Sequence, residues 1–146
     1  MKATSTDISI RQASWQHDHL AISVLRREVF IKEQGVPEEL EWDGLDEEAL
    51  HLIAEDDTGQ TIATARMLTD GHIGRVAVQK PWRGKGVGKS LIHYLLELAR
   101  QQGYRRGFLD AQVEAIDFYR HQGFTASGEI FMDAGIPHRH MFLELQ

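Results

Sequence analysis

The 146-residue sequence has no cysteine and only three prolines. Without a thiol, the chain forms no disulfide, no thiolate metal site and no covalent intermediate on cysteine. It also lacks an apolar run of about 18 residues and the apolar core of a signal peptide. We therefore expect a cytoplasmic protein without a membrane span. The length and the absence of repeats or linkers predict one domain over residues 1–146.

Positive charge is scarce as well, because 16 Lys and Arg against 22 Asp and Glu give a net charge of −6. A phosphate polymer would be repelled, so we expect no nucleic acid partner. The two signs are segregated: residues 33–65 hold eleven acids and no Lys or Arg, whereas residues 75–106 hold eight basic residues and one acid. This pattern fits either two solvated faces or one site with a basic half and an acidic half.

The hydrophobic periodicity predicts a mixed α/β (α+β) fold, with a single, mostly antiparallel sheet of about seven strands flanked by helices. The predicted strands are 7–11, 50–55, 61–68, 73–78, 107–111, 124–132 and 140–145. The predicted helices are 18–34, 89–102 and 114–121, and an acidic loop or irregular helix covers 36–48.

The most informative segment follows strand 73–78 and reads Arg83-Gly84-Lys85-Gly86-Val87-Gly88-Lys89-Ser90. Alternate glycines let backbone N–H groups converge, and the helix N-terminus and the cations add positive charge. The segment therefore predicts a diphosphate-binding turn. Its glycine spacing does not fit a dinucleotide fingerprint. A phosphate-loop hydrolase or kinase remains an alternative, although Arg83 replaces that loop's first glycine; Asp110 would then bind magnesium.

The spacing R-x-x-G-x-G after a strand that ends in Val-Ala-Val resembles motif A of the GNAT superfamily of acetyl-CoA-dependent N-acetyltransferases. The segment AIDFYRHQGF (115–124) resembles that family's closing signature, and segments 28–46 and 134–141 resemble its ElaA/YjcF-like branch. The resemblance implies that the fourth and fifth strands splay apart and that acetyl-CoA is the co-substrate, with no metal. It also implies direct transfer to a primary amine of a small molecule or peptide.

The same resemblance implies roles for individual residues. Tyr119 takes the position of the general acid, and Gln112 stands near the strand end where many members carry asparagine. The residues expected to bind acetyl-CoA are Val76, Ala77, Val78, Arg83, Gly84, Lys85, Gly86, Val87, Gly88, Lys89, Ser90, Gln112, Phe118 and Tyr119.

The acceptor side is less determined by the sequence. An ammonium must lose a proton before it attacks, and Glu41 and His51 are candidate bases. His51 is expected close to the opening between the splayed strands. The candidates for binding the acceptor are Glu33, Asp43, Asp46 and His138. The acceptor's identity, the base and the oligomeric state stay open, with a homodimer as one arrangement and a non-catalytic acyl-CoA-binding module as a further alternative.

Overall fold

Within residues 7–146, which the computed structural model describes, seven strands form two antiparallel sheets. The first sheet has the order β1 (Ser9–Ala13), β2 (Leu50–Glu55), β3 (Thr61–Met67), β4 (Ile73–Val78). The second has the order β5 (Arg106–Gln112), β7 (Ile136–Glu144), β6 (Thr125–Asp133). Residues 1–6 of the predicted domain lie outside the described residues. The predicted mixed architecture with about seven strands is confirmed.

The helices are α1 (Trp15–Arg26), which continues as a π-helical turn (Arg27–Glu33), then α2 (Glu38–Glu41), α3 (Val87–Gln101) and α4 (Ile116–His121). α1 and α3 cover opposite faces of the first sheet, whereas α4 packs against β5 and β6 of the second. Alternation along β2 separates two apolar layers, because Leu52 belongs to the layer under α3 and Ile53 to the layer under α1. The α3 side chains in the main core recur at helical spacing and include Leu91, Leu95 and Ala99.

The predicted single sheet is divided in two between β4 and β5. One parallel bridge joins His72 to Phe108, and the Phe108 N–H donates to the Gly71 carbonyl at 3.0 Å. Gly71 has a φ of +97°, and a Cβ there would lie 2.2 Å from the carbonyl oxygen of Arg106. Only glycine therefore lets the chains approach at this point. Beyond the bridge the strands diverge, which confirms the expected splay.

A bulge in β4 increases this divergence. The pairing with β3 shifts between Thr64↔Ala77 and Arg66↔Gly74, which leaves one extra residue on β4. Arg75 lies in the bulge with a φ of +51°, a left-handed conformation that is uncommon for a side chain of this size. Bulges bend the strand that carries them, so β4 turns away from β5 from here onward.

Two helices begin earlier than the sequence predicts, and α4 begins at Ile116, two residues later. The first helix begins at Trp15 rather than at residue 18, and its last seven residues form the π-helical turn. The third begins at Val87, two residues earlier than predicted, because Gly86 takes a left-handed φ of +83° and acts as the N-cap. Gly88 therefore lies in the first helical turn rather than in the loop.

Candidate active site

A cavity of about 440 Å³ opens where β4 and β5 separate. Its walls come from β4, from the second half of β5, from the π-helical turn and from the β6–β7 turn. Each of the two strands pairs on only one side along this stretch, so the backbone N–H and C=O groups that face the cavity are not used by the sheets. An extended ligand with its own amide groups can pair with such edges.

The glycine turn lies at the end of β4 and leads directly into α3. Gly84 and Gly86 both adopt left-handed φ values, of +75° and +83°. Because Ser90 is the first residue whose N–H bonds back into the turn, to Gly86 at 3.0 Å, the amides of Val87, Gly88 and Lys89 have no acceptor within residues 7–146. Three unpaired amides at the N-terminus of a 15-residue helix suit the pyrophosphate of a coenzyme A derivative.

The three cations of the turn are placed differently from one another. The Arg83 guanidinium is held by two partners, the Val78 carbonyl at 2.8 Å from Nε and the Glu33 carboxylate at 2.9 Å from Nη1. Lys85 Nζ lies 5.5 Å from the centre of the Trp82 ring. Lys89 forms no ion pair in the described part of the chain. Glu33 is thus a partner of the turn rather than part of the cavity wall.

Tyr119 is a wall residue of the cavity. Its ring contacts Phe118 and Phe124 edge to face, with centroid distances of 5.0 and 5.8 Å. Phe118 in turn stands beside the first turn of α3, since a Cβ at Gly88 would lie 3.9 Å from Phe118 Cζ. Burial raises the pKa of the Tyr119 hydroxyl above its usual range, so the phenol is protonated at neutral pH.

Three carboxylates of the acidic segment, those of Glu41, Asp43 and Asp46, form a largely buried network with three arginines. Arg26, fully buried, donates from Nε to Glu41 Oε2 and from Nη1 to Asp46 Oδ1, both at 2.7 Å. The other two arginines are Arg66 and Arg75, whose partners are Asp43, Asp46 and Glu41. These three acids are therefore held by arginines and form no open acidic rim, whereas other acids of the segment, such as Glu38, Glu39, Glu47 and Glu48, are exposed. The base candidate Glu41 lines the cavity, and the acceptor-binding candidates Asp43 and Asp46 do not.

The network also fixes the charge state of its members. Burial alone would raise the pKa of Asp43, but hydrogen bonds from Arg66 and the Leu45 N–H, together with the charges of Arg66 and Arg75, outweigh it and lower the pKa to about 2. For Asp46 burial acts in the same way, and hydrogen bonds from Arg26 and Arg66 again leave the pKa lowered. Both groups are anions at neutral pH and are already paired, which leaves them little capacity to bind an acceptor.

The structure does not bring His51 to the cavity. It lies on β2, two strands away from β4, and its ring stacks on Trp15 at 4.9 Å. Nε2 is 2.8 Å from the Asp46 carbonyl, whereas Nδ1 is buried without a partner in the described residues. Burial lowers the pKa of this imidazole. Because His51 lies outside the cavity, it cannot take a proton from a substrate bound there. His51 is therefore a packing residue.

His138 and Gln112 do reach the cavity, where they face each other across β5 and β7. His138 Nδ1 is 2.7 Å from the Ile136 carbonyl, and its ring stacks on Phe131. Gln112 is the last residue of β5. Both residues thus line the cavity, and their roles in binding the acceptor and the co-substrate stay predictions.

Among the titratable side chains of the cavity wall, four had no predicted role in acyl transfer: His72, Arg75, Asp110 and Asp133. Alternation along β5 was the available signal for Asp110, because that residue must share a face with Gln112. Nothing local marks Arg75, whose position depends on the bulge.

Comparisons with known proteins agree with this geometry. Residues 7–145 match the family model of the acetyltransferase (GNAT) domain. The chain is 40% identical over 121 residues to the N-acetyltransferase YjcF of Bacillus subtilis, covering 80% of this chain and 86% of that protein. Escherichia coli ElaA superposes with a TM-score of 0.83 at 28% identity, over 93% of this chain and 99% of ElaA. An acyl-CoA N-acyltransferase from Pseudomonas aeruginosa gives 0.81 at 33% identity, over 93% and 97%.

The chain belongs to the GNAT family of acetyltransferases. Within that family, its similarity to YjcF and ElaA supports the ElaA/YjcF-like branch. Membership implies acyl transfer from an acyl-CoA, which decides against the phosphate-loop alternative. No helix in residues 7–146 has the length and apolar character needed to cross a bilayer.

Proposed function

We propose that the protein is an acetyl-CoA-dependent N-acetyltransferase that passes the acetyl group directly to a primary amine of a small molecule or peptide. The observation that carries this proposal is the continuity of two features: the unpaired edges of β4 and β5, and the three free amides of the glycine turn at the end of β4. Together they match the two chemically distinct parts of coenzyme A, an amide-bearing arm and a pyrophosphate.

In this proposal the backbone of β4 binds the pantetheine arm. Along Val76, Ala77 and Val78, the backbone groups that point away from β3 pair with the arm's amides as an added strand would, except the Val78 carbonyl, which already accepts from Arg83 Nε. One of these N–H groups faces the thioester oxygen and stabilises the negative charge that develops there. Gln112 contributes a side-chain amide from the opposite strand.

The glycine turn binds the pyrophosphate. Its members are Arg83, Gly84, Lys85, Gly86, Val87, Gly88, Lys89 and Ser90, of which Lys89 brings an unpaired positive charge. Phe118 covers the start of α3 beside them.

Tyr119 serves as the general acid. A CoA thiolate leaves when the C–S bond breaks, and a phenol that is still protonated at neutral pH can donate to it. The raised pKa of Tyr119 supports this role, because it keeps the proton on the oxygen until a strong base forms nearby.

The acceptor amine must first be deprotonated, at a cost of about 4.6 kcal/mol for an amine of pKa about 10.4 at pH 7. Of the two base candidates from the sequence, only Glu41 lies on the cavity wall. Its Oε2 is shared by Arg26 and Arg75, so Glu41 acts chiefly by holding Arg75 in place.

Calorimetry and a thiol-release screen test the proposal. The purified protein should give binding heat with acetyl-CoA and none with magnesium ATP. With acetyl-CoA, a panel of polyamines, amino sugars, amino acids, aminoglycosides and peptides should yield at least one amine that releases thiol above hydrolysis. Binding without release on any amine would instead support a non-catalytic acyl-CoA-binding module, and absence of acetyl-CoA binding would overturn the proposal.

A further inference from the structure

The charges that line the cavity do not cancel. Four of its side chains are acidic residues or arginine: Glu41, Arg75, Asp110 and Asp133. Arg75 Nε lies 3.2 Å from Glu41 Oε2, and its Nη2 lies 3.2 Å from Asp43 Oδ2, so the one guanidinium is already matched. Neither Asp110 nor Asp133 pairs with a lysine or arginine in the described residues 7–146. The cavity therefore presents two uncompensated carboxylates.

These two carboxylates share one face of the second sheet. Asp110 is opposite His140 on β7, and Asp133 is opposite Ile136 on the other side of that strand. Side chains alternate along a strand, so positions 136 and 140 point to the same side, and their partners do too. Positions 136 and 140 are four residues apart along β7, a distance of about 13 Å at 3.3 Å per residue. The carboxylates thus stand at opposite ends of one cavity wall.

Asp110 stands where β4 and β5 begin to separate. Its Oδ1 is 3.2 Å from His140 Nδ1, and its Oδ2 is 3.9 Å from His72 Nε2. His140 hydrogen-bonds Oδ1, whereas His72 lies beyond hydrogen-bond distance of Oδ2, and both imidazoles pack against Phe108. A bound ammonium can supply the charge that balances this carboxylate. Asp133 lies at the mouth, next to the β6–β7 turn at Ala134 and Gly135.

We propose that the acceptor is a short aliphatic diamine or polyamine, with Asp110 facing the nitrogen that is acetylated and Asp133 facing the second cation. This inference rests on the proposed N-acetyltransferase function. A dication satisfies both carboxylates at once, and its methylene chain lies against apolar wall residues such as Val36 and Ile136. An amino acid fits poorly, because its carboxylate would meet a wall whose single guanidinium is already paired.

The transfer conserves charge and protons. The ammonium facing Asp110 gives one proton to that carboxylate, and the neutral nitrogen forms the C–N bond to the acetyl carbonyl carbon. The C–S bond breaks, its electron pair stays on sulfur, and the thiolate takes the Tyr119 proton. The second proton of the nitrogen returns Tyr119 to its neutral form, and Asp110 releases its proton to water. One ammonium and acetyl-CoA thus give one amide, one thiol and one proton.

A matched series of amines tests the inference by thiol release from acetyl-CoA. The probes are 1,4-diaminobutane against 1-aminobutane, and 1,6-diaminohexane against 1-aminohexane, at neutral pH. We expect kcat/KM for a diamine to exceed that of the monoamine of equal length by about tenfold, the equivalent of about 1.4 kcal/mol. Asp133→Asn should reduce this ratio to about twofold or less. Glu129→Gln, on the same strand but off the cavity wall, should leave the ratio unchanged.

Each outcome decides the question. A wild-type ratio near one, or acetylation only of amines outside this series, overturns the diamine inference while the N-acetyltransferase function stands. A ratio that survives Asp133→Asn, or that falls equally in Glu129→Gln, overturns the role of Asp133. If acetyl-CoA binds and no amine of any kind releases thiol, the proposed function fails and the inference fails with it.

Discussion

Arg26 contributes more to the stability of the fold than its neighbour Arg27. Both guanidiniums lie near the Trp42 ring, at 5.2 and 5.7 Å from its centroid. Arg26 is fully buried between Glu41 and Asp46, whereas Arg27 pairs with Glu38 in solvent. A buried charge that loses its partner is left without water or an opposite charge, which costs free energy, whereas an exposed charge is hydrated again. The two adjacent arginines therefore offer a comparison within one helical turn.

Replacing Arg26 with methionine should lower the free energy of unfolding by about 3 kcal/mol, since Glu41 and Asp46 keep only Arg75 and Arg66 as partners. Urea denaturation measures this loss. The matched Arg27→Met change should leave the urea midpoint almost where it is. Equal losses in the two variants would mean that the network contributes no more than a surface ion pair.

Removing the hydroxyl of Tyr119 tests its role as the acid. Tyr119→Phe keeps both aromatic contacts, so the acetyl-CoA dissociation constant from calorimetry should change little. Turnover should fall about tenfold or more, because the thiolate then leaves without a donor. Tyr94→Phe, which removes an exposed phenol from α3, should keep normal turnover. An unchanged rate in Tyr119→Phe would remove Tyr119 from the mechanism.

At the scale of elements, the glycine turn and the first turn of α3 act as one unit. Gly86 ends the turn in a left-handed conformation, and an added Cβ would meet no atom within 4 Å. Space is therefore not the constraint; backbone conformation is. For a residue with a Cβ atom, the left-handed backbone conformation costs about 1–2 kcal/mol. Rotation of the peptide groups that follow relieves this strain.

Gly86→Ala should therefore weaken acetyl-CoA binding about tenfold or more in calorimetry, because the rotation turns the amides of Val87 and Gly88 away from the pyrophosphate. Gly59→Ala is the control. Gly59 lies in the β2–β3 hairpin with a φ of +87° and equally open space, so it suffers the same strain far from the site. Equal weakening in both variants would attribute the effect to lost stability.

The features that the sequence predicts best are local ones. Alternation and turn residues located all seven strands, and the spacing of Gly84, Gly86 and Gly88 located the glycine turn between β4 and α3. The π-helical turn was missed because its apolar spacing resembles that of an α-helix over one or two turns. The position of His51 depended on the order of strands, which local patterns do not contain. The buried network joins Arg26 to acids 15 and 20 residues away, and the sequence marks no such pairing.

For the whole molecule, His51 predicts how stability depends on pH. Burial lowers its folded-state pKa below the ordinary value of about 6.5, so the unfolded chain binds this proton more readily than the folded one. The stabilisation is complete above that ordinary value and is lost as pH falls toward the folded-state pKa. The free energy of unfolding should then decrease between pH 7.5 and 5.5, by no more than about 1.4 kcal/mol per pH unit for one proton.

The His51→Gln variant should flatten this part of the curve in urea denaturation at a series of pH values. His121→Gln should not, although His121 also contacts a backbone carbonyl, because its ring is exposed on α4. A wild-type slope that persists in His51→Gln would show that another group binds the proton.

The width of the active-site opening depends on the absence of a Cβ atom at Gly71. At Gly71 the two halves of the protein touch through the space that a methyl group would occupy, 2.2 Å from the Arg106 carbonyl oxygen. Any side chain at Gly71, where β4 and β5 begin to separate, would push β5 away from β4. Asp110 and the rest of the second sheet would move with β5. The opening between β4 and β5, through which we propose that both substrates enter, is thus fixed at its narrow end by the missing side chain of Gly71.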